Sequence, residues 1–507
     1  MRVVLSFVLI LAACGDNGGG GDDMMPGPCT PPVAPLPTTG MYIDPNAAEL
    51  PSNCVADGLR DLPGRWFVSD QAQYFRFEYP KYEGSCTTGF SRLGNTDDHD
   101  ASDGYSFFTW SDGTRYWQRE AYEYGNTVFI RVYAACLTSS DTLAATYITY
   151  DTDRGERISR TTGERFAAHK EDSLATGLTL VGSLEKGLPG EVIEGLNLMI
   201  DGTHAYLAGI GGLEIIDISD PTAPVAVGHY DGSWNDVRVV NDGTNVVAFL
   251  SPFGSEDPTQ VVNVTDPAAP TFVSMLQEYS HSLQIQERNG KKELYLATYN
   301  ESVPKYDVTA PLTPVRQGMA IVPGDVSGVH DLYVDGDKIY ACNTTLGLVG
   351  FDTSGGFGTS NVELGRYRLG YSHAAWAGTI GGRKIVLAGD EGMTASPSGG
   401  AHLSILDGDT ASPTFMHELA IYQTRREVGI HYFEVHGNKV YIAYYHDGVR
   451  VIDLTDPTHP VEVAHYNDWI EDNAYGGAFE GALAVRKIGD LLYVADLERG
   501  LLVLREQ

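Results

Sequence analysis

Basic residues are scarce in this chain. Its 507 residues include 34 Lys and Arg against 67 Asp and Glu, a formal net charge of −33. So acidic a surface repels polyanions, which argues against a nucleic-acid binder working by phosphate neutralisation. Cysteine is scarce too, with 6 in all. No two are spaced Cys-x-x-Cys, so a four-thiolate metal site is not indicated. Past the N-terminus no run reaches the roughly 18 consecutive apolar residues of a spanning helix. Gly-x-Ser-x-Gly, His-Glu-x-x-His and phosphate-loop motifs are missing, so no catalytic class announces itself. What is plentiful is Gly (58), Pro (25) and Tyr (29), a composition that suits short strands joined by turns. Hydrophobic residues at 42% are too many for a wholly disordered chain.

The N-terminus reads as an address. Met1-Arg2 is followed by a largely apolar run over residues 3–11 and then Ala12-Ala13-Cys14. This is a secretory signal, too short to cross a bilayer. Leu11-Ala12-Ala13-Cys14 resembles the bacterial lipobox. That resemblance implies removal of residues 1–13 and acylation of Cys14, which becomes the mature N-terminus. Residues 15–23 are Gly- and Asp-rich, and a Pro-rich stretch follows, so 14–49 reads as a lipidated tether. The expected location is the bacterial cell envelope, periplasmic or surface-facing. The membrane partner is the lipid anchor. Gly15 rather than Asp after the acylated Cys favours the outer membrane.

Cys29, Cys54, Cys86 and Cys136 all fall in the N-terminal third. An exported chain meets an oxidising compartment, so two disulfides are expected there, with three pairings open. Cys342 lies alone in an apolar strand pattern and reads as a buried, inert thiol.

From about residue 194 the chain repeats itself with a period of roughly 45 residues. In the clearest copy Ile430 to Val435, Lys439 to Ala443, Val449 to Leu454 and Val461 to Ala464 alternate as strands. Gly437-Asn438 and Thr455-Asp456-Pro457 mark turns between them. Copies fall near 194–232, 233–278, 279–323, 324–369, 370–423, 424–468 and 469–507. Seven four-stranded units mean an all-β, seven-bladed β-propeller. The Leu/Val-x-Ile-x-Asp strand followed by Asp-Pro-x-x-Pro, best seen in Gly212 to Pro224 and Gly448 to Pro460, resembles the LVIVD-repeat family of bacterial exported propellers. The resemblance covers about 178–507. The fourth and fifth copies carry Ser354-Gly355-Gly356 and Gly408-Asp409 where Asp-Pro is expected. The last copy lacks a fourth strand, and Leu178 to Leu184 has the pattern to supply it.

Residues 50–168 stand outside the repeat. Alternating stretches at Gln73 to Tyr79, Thr127 to Tyr133 and Thr142 to Tyr150 predict a small antiparallel, disulfide-braced β domain. Leu62-Pro63-Gly64-Arg65-Trp66 is similar to small lipocalin-like barrels, and a sandwich is the other expectation. Asp97, Asp98, Asp100 and Asp103 form an acidic loop, either a Ca²⁺ site or a solvated loop.

One set of residues suggests chemistry. Counting four positions back from the apolar residue that closes each first strand gives His281, His330, His373 and His431 in four consecutive copies. The second copy has Asn235, the first Leu196 and the seventh Gly481 beside Glu480. First strands line a propeller's channel, so these positions form a ring at one mouth. Asp390, Glu391, His446, Asp447, Asp496 and Glu498 sit at or just after second-strand ends, which reach the same mouth. The imidazoles either brace the blades or hold Fe, Cu, Zn or Mn. The leading expectation is a binding module for an envelope protein, peptide or glycan rather than an enzyme. The alternative is a metal-dependent hydrolytic or oxidative enzyme on the four histidines.

Overall fold

The computed structural model describes residues 50–56, strand segments with adjoining turns between 64 and 165, and 175–507 except 189–192, 254–256, 300–301, 325–327, 344–345, 358–360, 392–400, 426–427, 468 and 470–478. The signal segment, Cys14, the tether, Cys29, Cys86 and the loop bearing Asp97, Asp98, Asp100 and Asp103 lie outside the described residues. Every regular element among the described residues is a strand. The chain divides into two compact units near residue 168.

Among its described residues the first unit holds eight strands: β1 (Gly64–Val68), β2 (Gln73–Phe77), β3 (Arg92–Leu93), β4 (Ser106–Ser111), β5 (Tyr116–Tyr124), β6 (Thr127–Leu137), β7 (Thr142–Asp151) and β8 (Gly155–Arg165). They form one sheet in the order β3-β2-β1-β8-β7-β6-β5-β4. Chain neighbours other than β3 and β4 pair antiparallel, and β1 meets β8. Cys54 is bonded to Cys136, and Val55 N–H donates to Leu137 O at 2.8 Å, so residues 50–56 are fastened to the end of β6.

The second unit is a seven-bladed propeller. Blades 1 to 6 are four-stranded sheets that follow chain order, beginning with Gly195–Asp201, His204–Gly209, Gly212–Asp217 and Val225–Tyr230. In blade 7, Ala482–Ile488, Leu491–Asp496 and Gly500–Glu506 are completed by Leu178–Leu184 from the start of the unit. The seam is sealed by apolar packing: Leu198, Ala205 and Leu207 of blade 1 share a buried cluster with Ala484, Tyr493 and Val503 of blade 7.

Local chemistry explains the repeat. Asn289-Gly290 links two strands of blade 3 with φ of 53° and 75°, the two-residue turn that continues strand twist. The Asp that ends a third strand caps the next turn through its side chain. Asp217 Oδ1 accepts from Ser219 N at 2.8 Å and Asp453 Oδ1 from Thr455 N at 2.7 Å. Blades 4 and 5 keep this cap without Asp-Pro, with Asp352 accepting from Ser354 N at 2.6 Å and Asp407 from Asp409 N at 3.1 Å. In blades 1 and 2 the Asp-Pro turn nestles on a glycine of the preceding blade's outer strand, Gly182 and Gly228. A Cβ on Gly228 would lie 1.7 Å from Pro267 O.

Candidate functional site

Each inner strand opens with an irregularity that turns one residue to the channel mouth. The register skips Leu196, Asn235, His330, His373 and Leu483 in blades 1, 2, 4, 5 and 7. In blades 3 and 6, His281 and His431 precede the strand, their N–H groups bonded to Ala297 O at 2.8 Å and Ala443 O at 3.2 Å. These seven residues are the ring. The seventh position is therefore Leu483, not Gly481. Four residues on from Leu483 stands Lys487, where the other copies have an apolar residue. Its ammonium bonds Glu506 at 2.7 Å and lies 4.9 Å from the Tyr441 ring, so a snorkelling lysine fills an apolar slot and shifts the count by two.

The four histidines do come together. Ring centroids are 3.8 Å apart for His281–His330, 4.7 Å for His330–His373 and 4.4 Å for His373–His431. Most ring side chains bond to the next blade. Asn235 Nδ2 donates to His281 O at 2.7 Å. The Nδ1 atoms of His281, His373 and His431 lie 3.0, 2.7 and 2.7 Å from His330 O, His431 O and Leu483 O. Those acceptors fix the proton on Nδ1 and leave Nε2 with its lone pair. His330 breaks the relay. Its Nδ1 lies 3.4 Å from the Tyr299 hydroxyl, and its Nε2 turns toward Glu391.

Glu391, just past the second strand of blade 5, supplies the carboxylate. Its Oε2 lies 3.8 Å from His330 Nε2 and 3.6 Å from His373 Nε2, and its Oε1 accepts the Tyr445 hydroxyl. One donor atom from each of His330, His373 and Glu391 falls within 4.8 Å of the others, the spacing of a three-ligand metal set. His281 is not in that set, and its Nε2 faces the Asn235 amide at 3.4 Å. Burial governs the charges. It lowers the imidazoles of His281 and His431 to about 3, with His373 adding repulsion to each, and that of His373 to about 4. His330 is lowered likewise by burial and by His281. Burial raises Glu391 to about 7. At neutral pH all four rings are uncharged and able to ligate. Aromatic rings wall the mouth: Tyr299 stands 5.4 Å from His281, Tyr371 5.2 Å from His330 and Tyr445 5.4 Å from His431.

Beneath the ring the channel is bridged. Arg238 of blade 2 bonds Asp236 at 2.5 Å and, from the far side, the Tyr432 hydroxyl of blade 6 at 2.9 Å. Asp236 also accepts from Asn197 Nδ2 and Leu283 N, each at 2.8 Å. Ser282 Oγ donates to Asp331 at 2.5 Å, and burial raises Asp331 to about 7. This network joins blades 1, 2, 3, 4 and 6 beneath the histidines.

The remaining mouth candidates divide between structural roles and a second cluster. Asp390 accepts from the backbone N–H groups of Gly370 and Tyr371 at 3.2 and 3.0 Å, and Asp447 holds Arg425 and Thr424. His446 Nε2 lies 3.5 Å from Glu480, which also accepts from Trp469 Nε1 at 3.3 Å. Asp496 accepts from the N–H groups of Glu498 and Arg499, each at 3.0 Å, and Glu498 from Gly481 N at 3.0 Å. Burial raises Asp496 to about 6, and burial together with the Asp496 charge raises Glu498. Sequence reasoning missed the tyrosines and the bridging network. Only the Tyr444-Tyr445 pair beside His446 hinted at the former.

Residues 196–232 and 433–468, in blades 1 and 6, match the family model described as LVIVD repeat. The chain carries LVIVD repeats. Curated proteins give no match. Similar solved structures include the WD40 beta propeller domain of Doa1, 10% identical over 66% of this chain and 98% of that one, with a TM-score of 0.47. BamB from Moraxella catarrhalis is 11% identical over 65% of this chain and 99% of its own, with a TM-score of 0.38.

Proposed function

We propose that this LVIVD-repeat propeller is a lipid-anchored binding protein of the bacterial cell envelope, outer membrane favoured, and that it engages an envelope protein, peptide or glycan at the histidine-lined mouth. One observation carries the reading. Leu196 and Leu483 fill two of the seven ring positions at 5% and 3% exposure, so the fold does not need polar groups there. Four imidazoles stand at ring positions where leucine suffices, and Glu391 is buried against two of them, an arrangement favoured when those groups meet a ligand. The Asp236–Arg238–Tyr432 bridge crosses the channel below, which suits holding rather than conducting. The lipobox-like Cys14 and its tether support display at a membrane. The strand order of the first unit supports a small up-and-down barrel. A metal-dependent hydrolytic or oxidative enzyme is the second reading. It is favoured by Glu391 facing two histidines and adds a requirement for turnover.

A photo-crosslinking residue placed at Tyr299, on the mouth, and at Val461, on the outer edge of blade 6, tests the binding reading in cells. A discrete adduct from Tyr299 and none from Val461 supports it. Matching patterns from both sites, or no adduct from Tyr299, refute it. Cys14→Ser is expected to move the protein from the membrane fraction to the soluble fraction, and unchanged fractionation would remove the lipid anchor from the reading.

A further inference from the structure

We infer that the mouth binds one divalent first-row transition ion, with His330 Nε2, His373 Nε2 and Glu391 Oε2 as its protein ligands in a tetrahedral, Zn²⁺-like arrangement. The inference rests on the mouth being the binding site and names what it binds.

The argument starts at His373. Its Nδ1 lies 2.7 Å from a carbonyl oxygen, His431 O, so that nitrogen carries the proton of the neutral ring. Nε2 then presents a lone pair, and 3.6 Å away it faces a carboxylate oxygen. Two acceptors pointed at each other in a buried site repel unless something positive stands between them. His330 Nε2 faces the same oxygen from 3.8 Å. One donor atom from each of the three residues lies within 4.8 Å of the other two.

The spacing fits a small tetrahedral ion. Zinc bonds of about 2.0–2.2 Å to nitrogen and oxygen set ligand atoms about 3.4 Å apart at tetrahedral angles. The two observed separations need to close by only a few tenths of an ångström. An octahedral ion would need adjacent ligands about 3.0 Å apart and hence a larger collapse. The donor set of two imidazoles and one carboxylate suits a first-row transition ion better than Ca²⁺ or Mg²⁺, which prefer all-oxygen shells.

Second-sphere contacts are in place. The Tyr445 hydroxyl holds the other oxygen of Glu391, and the His431 carbonyl orients His373. His281 is excluded as a ligand, because both its ring nitrogens already face partners: His330 O at 3.0 Å and the Asn235 amide at 3.4 Å. Three protein ligands leave a fourth position open, as in sites that bind an exchangeable ligand. This differs from a site on four equivalent histidines: two of the four ligate, and a glutamate joins them.

The test uses the full chain, extracted in detergent and purified without immobilised metal. Elemental mass spectrometry and calorimetric titration of chelator-stripped protein with Zn²⁺ are expected to give one equivalent. Glu391→Gln and His373→Ala should each weaken Zn²⁺ binding by at least about 100-fold, more than loss of an outer-shell partner does. His281→Asn should leave affinity within a few-fold. Co²⁺ in place of Zn²⁺ should show the intense visible bands of a four-coordinate ion. Circular dichroism and melting of each variant separate lost binding from lost folding, and Glu391→Gln is isosteric should His373→Ala fail to fold. No stoichiometric Zn²⁺ or Co²⁺ on folded wild-type protein overturns the inference. So does a Glu391→Gln protein that binds normally. Loss of binding in His281→Asn equal to that in His373→Ala would replace this ligand set with the four-histidine one. Crosslinks from Tyr299 on a folded protein that takes up no metal would leave the binding reading standing while the metal falls; stoichiometric metal without such crosslinks would do the reverse.

Discussion

Acidification should unlock the histidine ring, and two substitutions isolate the effect. His281 and His431 titrate at about 3 in the fold against an ordinary value of 6.5. Below pH 6.5 the unfolded chain takes up these protons and the native chain does not. Depressed values of this kind contribute nothing adverse at neutral pH and lower stability as pH falls toward 3. At pH 5 each ring costs about 2 kcal/mol, and at pH 3.5 about 4 kcal/mol. Glu391 and Asp331, raised to about 7, act in the opposite sense between pH 7 and 5, because protonating them in the fold removes a buried charge. A single pH curve therefore mixes the two effects. Comparison with the double variant His281→Asn, His431→Asn separates them. Asparagine already serves at this position in blade 2, where Asn235 Nδ2 reaches the next carbonyl at 2.7 Å. It keeps the interblade bond and does not titrate, while both acids remain. Urea unfolding of chelator-treated protein at pH 7, 6 and 5 is the assay. Wild type should lose about 4 kcal/mol more than the double variant between pH 7 and 5. Parallel curves for the two proteins would refute the claim that these rings stay neutral in the fold.

Other consequences are quicker to check. Gly228→Ala puts a methyl carbon 1.7 Å from Pro267 O, a backbone atom that cannot swing away, so it should cost about 3 kcal/mol in urea unfolding. Gly243→Ala, with nothing within 4 Å but φ at +89°, is the contrast, and strain alone should cost about 1 kcal/mol. Cys54→Ser opens a disulfide between residues 82 apart and should lower the stability of the first unit by about 4 kcal/mol, seen as an earlier calorimetric transition with the propeller transition unmoved. A chain begun at residue 185 lacks the strand that covers Leu502 and Leu504, and it should lose cooperative melting and aggregate on size-exclusion chromatography. Tyr445→Phe removes a hydrogen bond to Glu391 and should weaken Zn²⁺ binding about tenfold in the same calorimetric titration.

The propeller was legible because its repeat is written in turn chemistry. An Asp at the end of the third strand, a glycine in the tight turn and alternating aliphatic residues recur at fixed spacing, and each answers a backbone demand that most blades make. The closing strand was legible for the same reason: Leu178–Leu184 has the pattern of an outer strand with no sheet of its own nearby. Blades 4 and 5 show which part of the signature the fold requires. Both drop Asp-Pro and keep the capping Asp, whose side chain accepts a turn N–H and fixes the turn.

The site was legible only as far as the period carried. Four histidines at one repeat position foretold a cluster, since inner strands must converge on the channel. Periodicity could not say which imidazoles face inward with a free lone pair, because that depends on where each Nδ1 proton goes. His281, His373 and His431 spend theirs on a neighbouring blade, while His330 turns its Nδ1 toward the Tyr299 hydroxyl. Nor could it single out Glu391 from Asp390 beside it. Adjacent residues at a strand end point opposite ways, so one carboxylate caps the backbone of Gly370 and Tyr371 and the other meets the histidines. The misplaced seventh position has the same root. Counting along a strand assumes that each slot keeps its chemical type, and Lys487 breaks that assumption by laying its stem where an aliphatic side chain would lie. A repeat shows where side chains gather. What they can do there is decided by the few residues that depart from it: His330 outside the relay, Glu391 in one blade of seven, and the two leucines that show the ring could have been apolar.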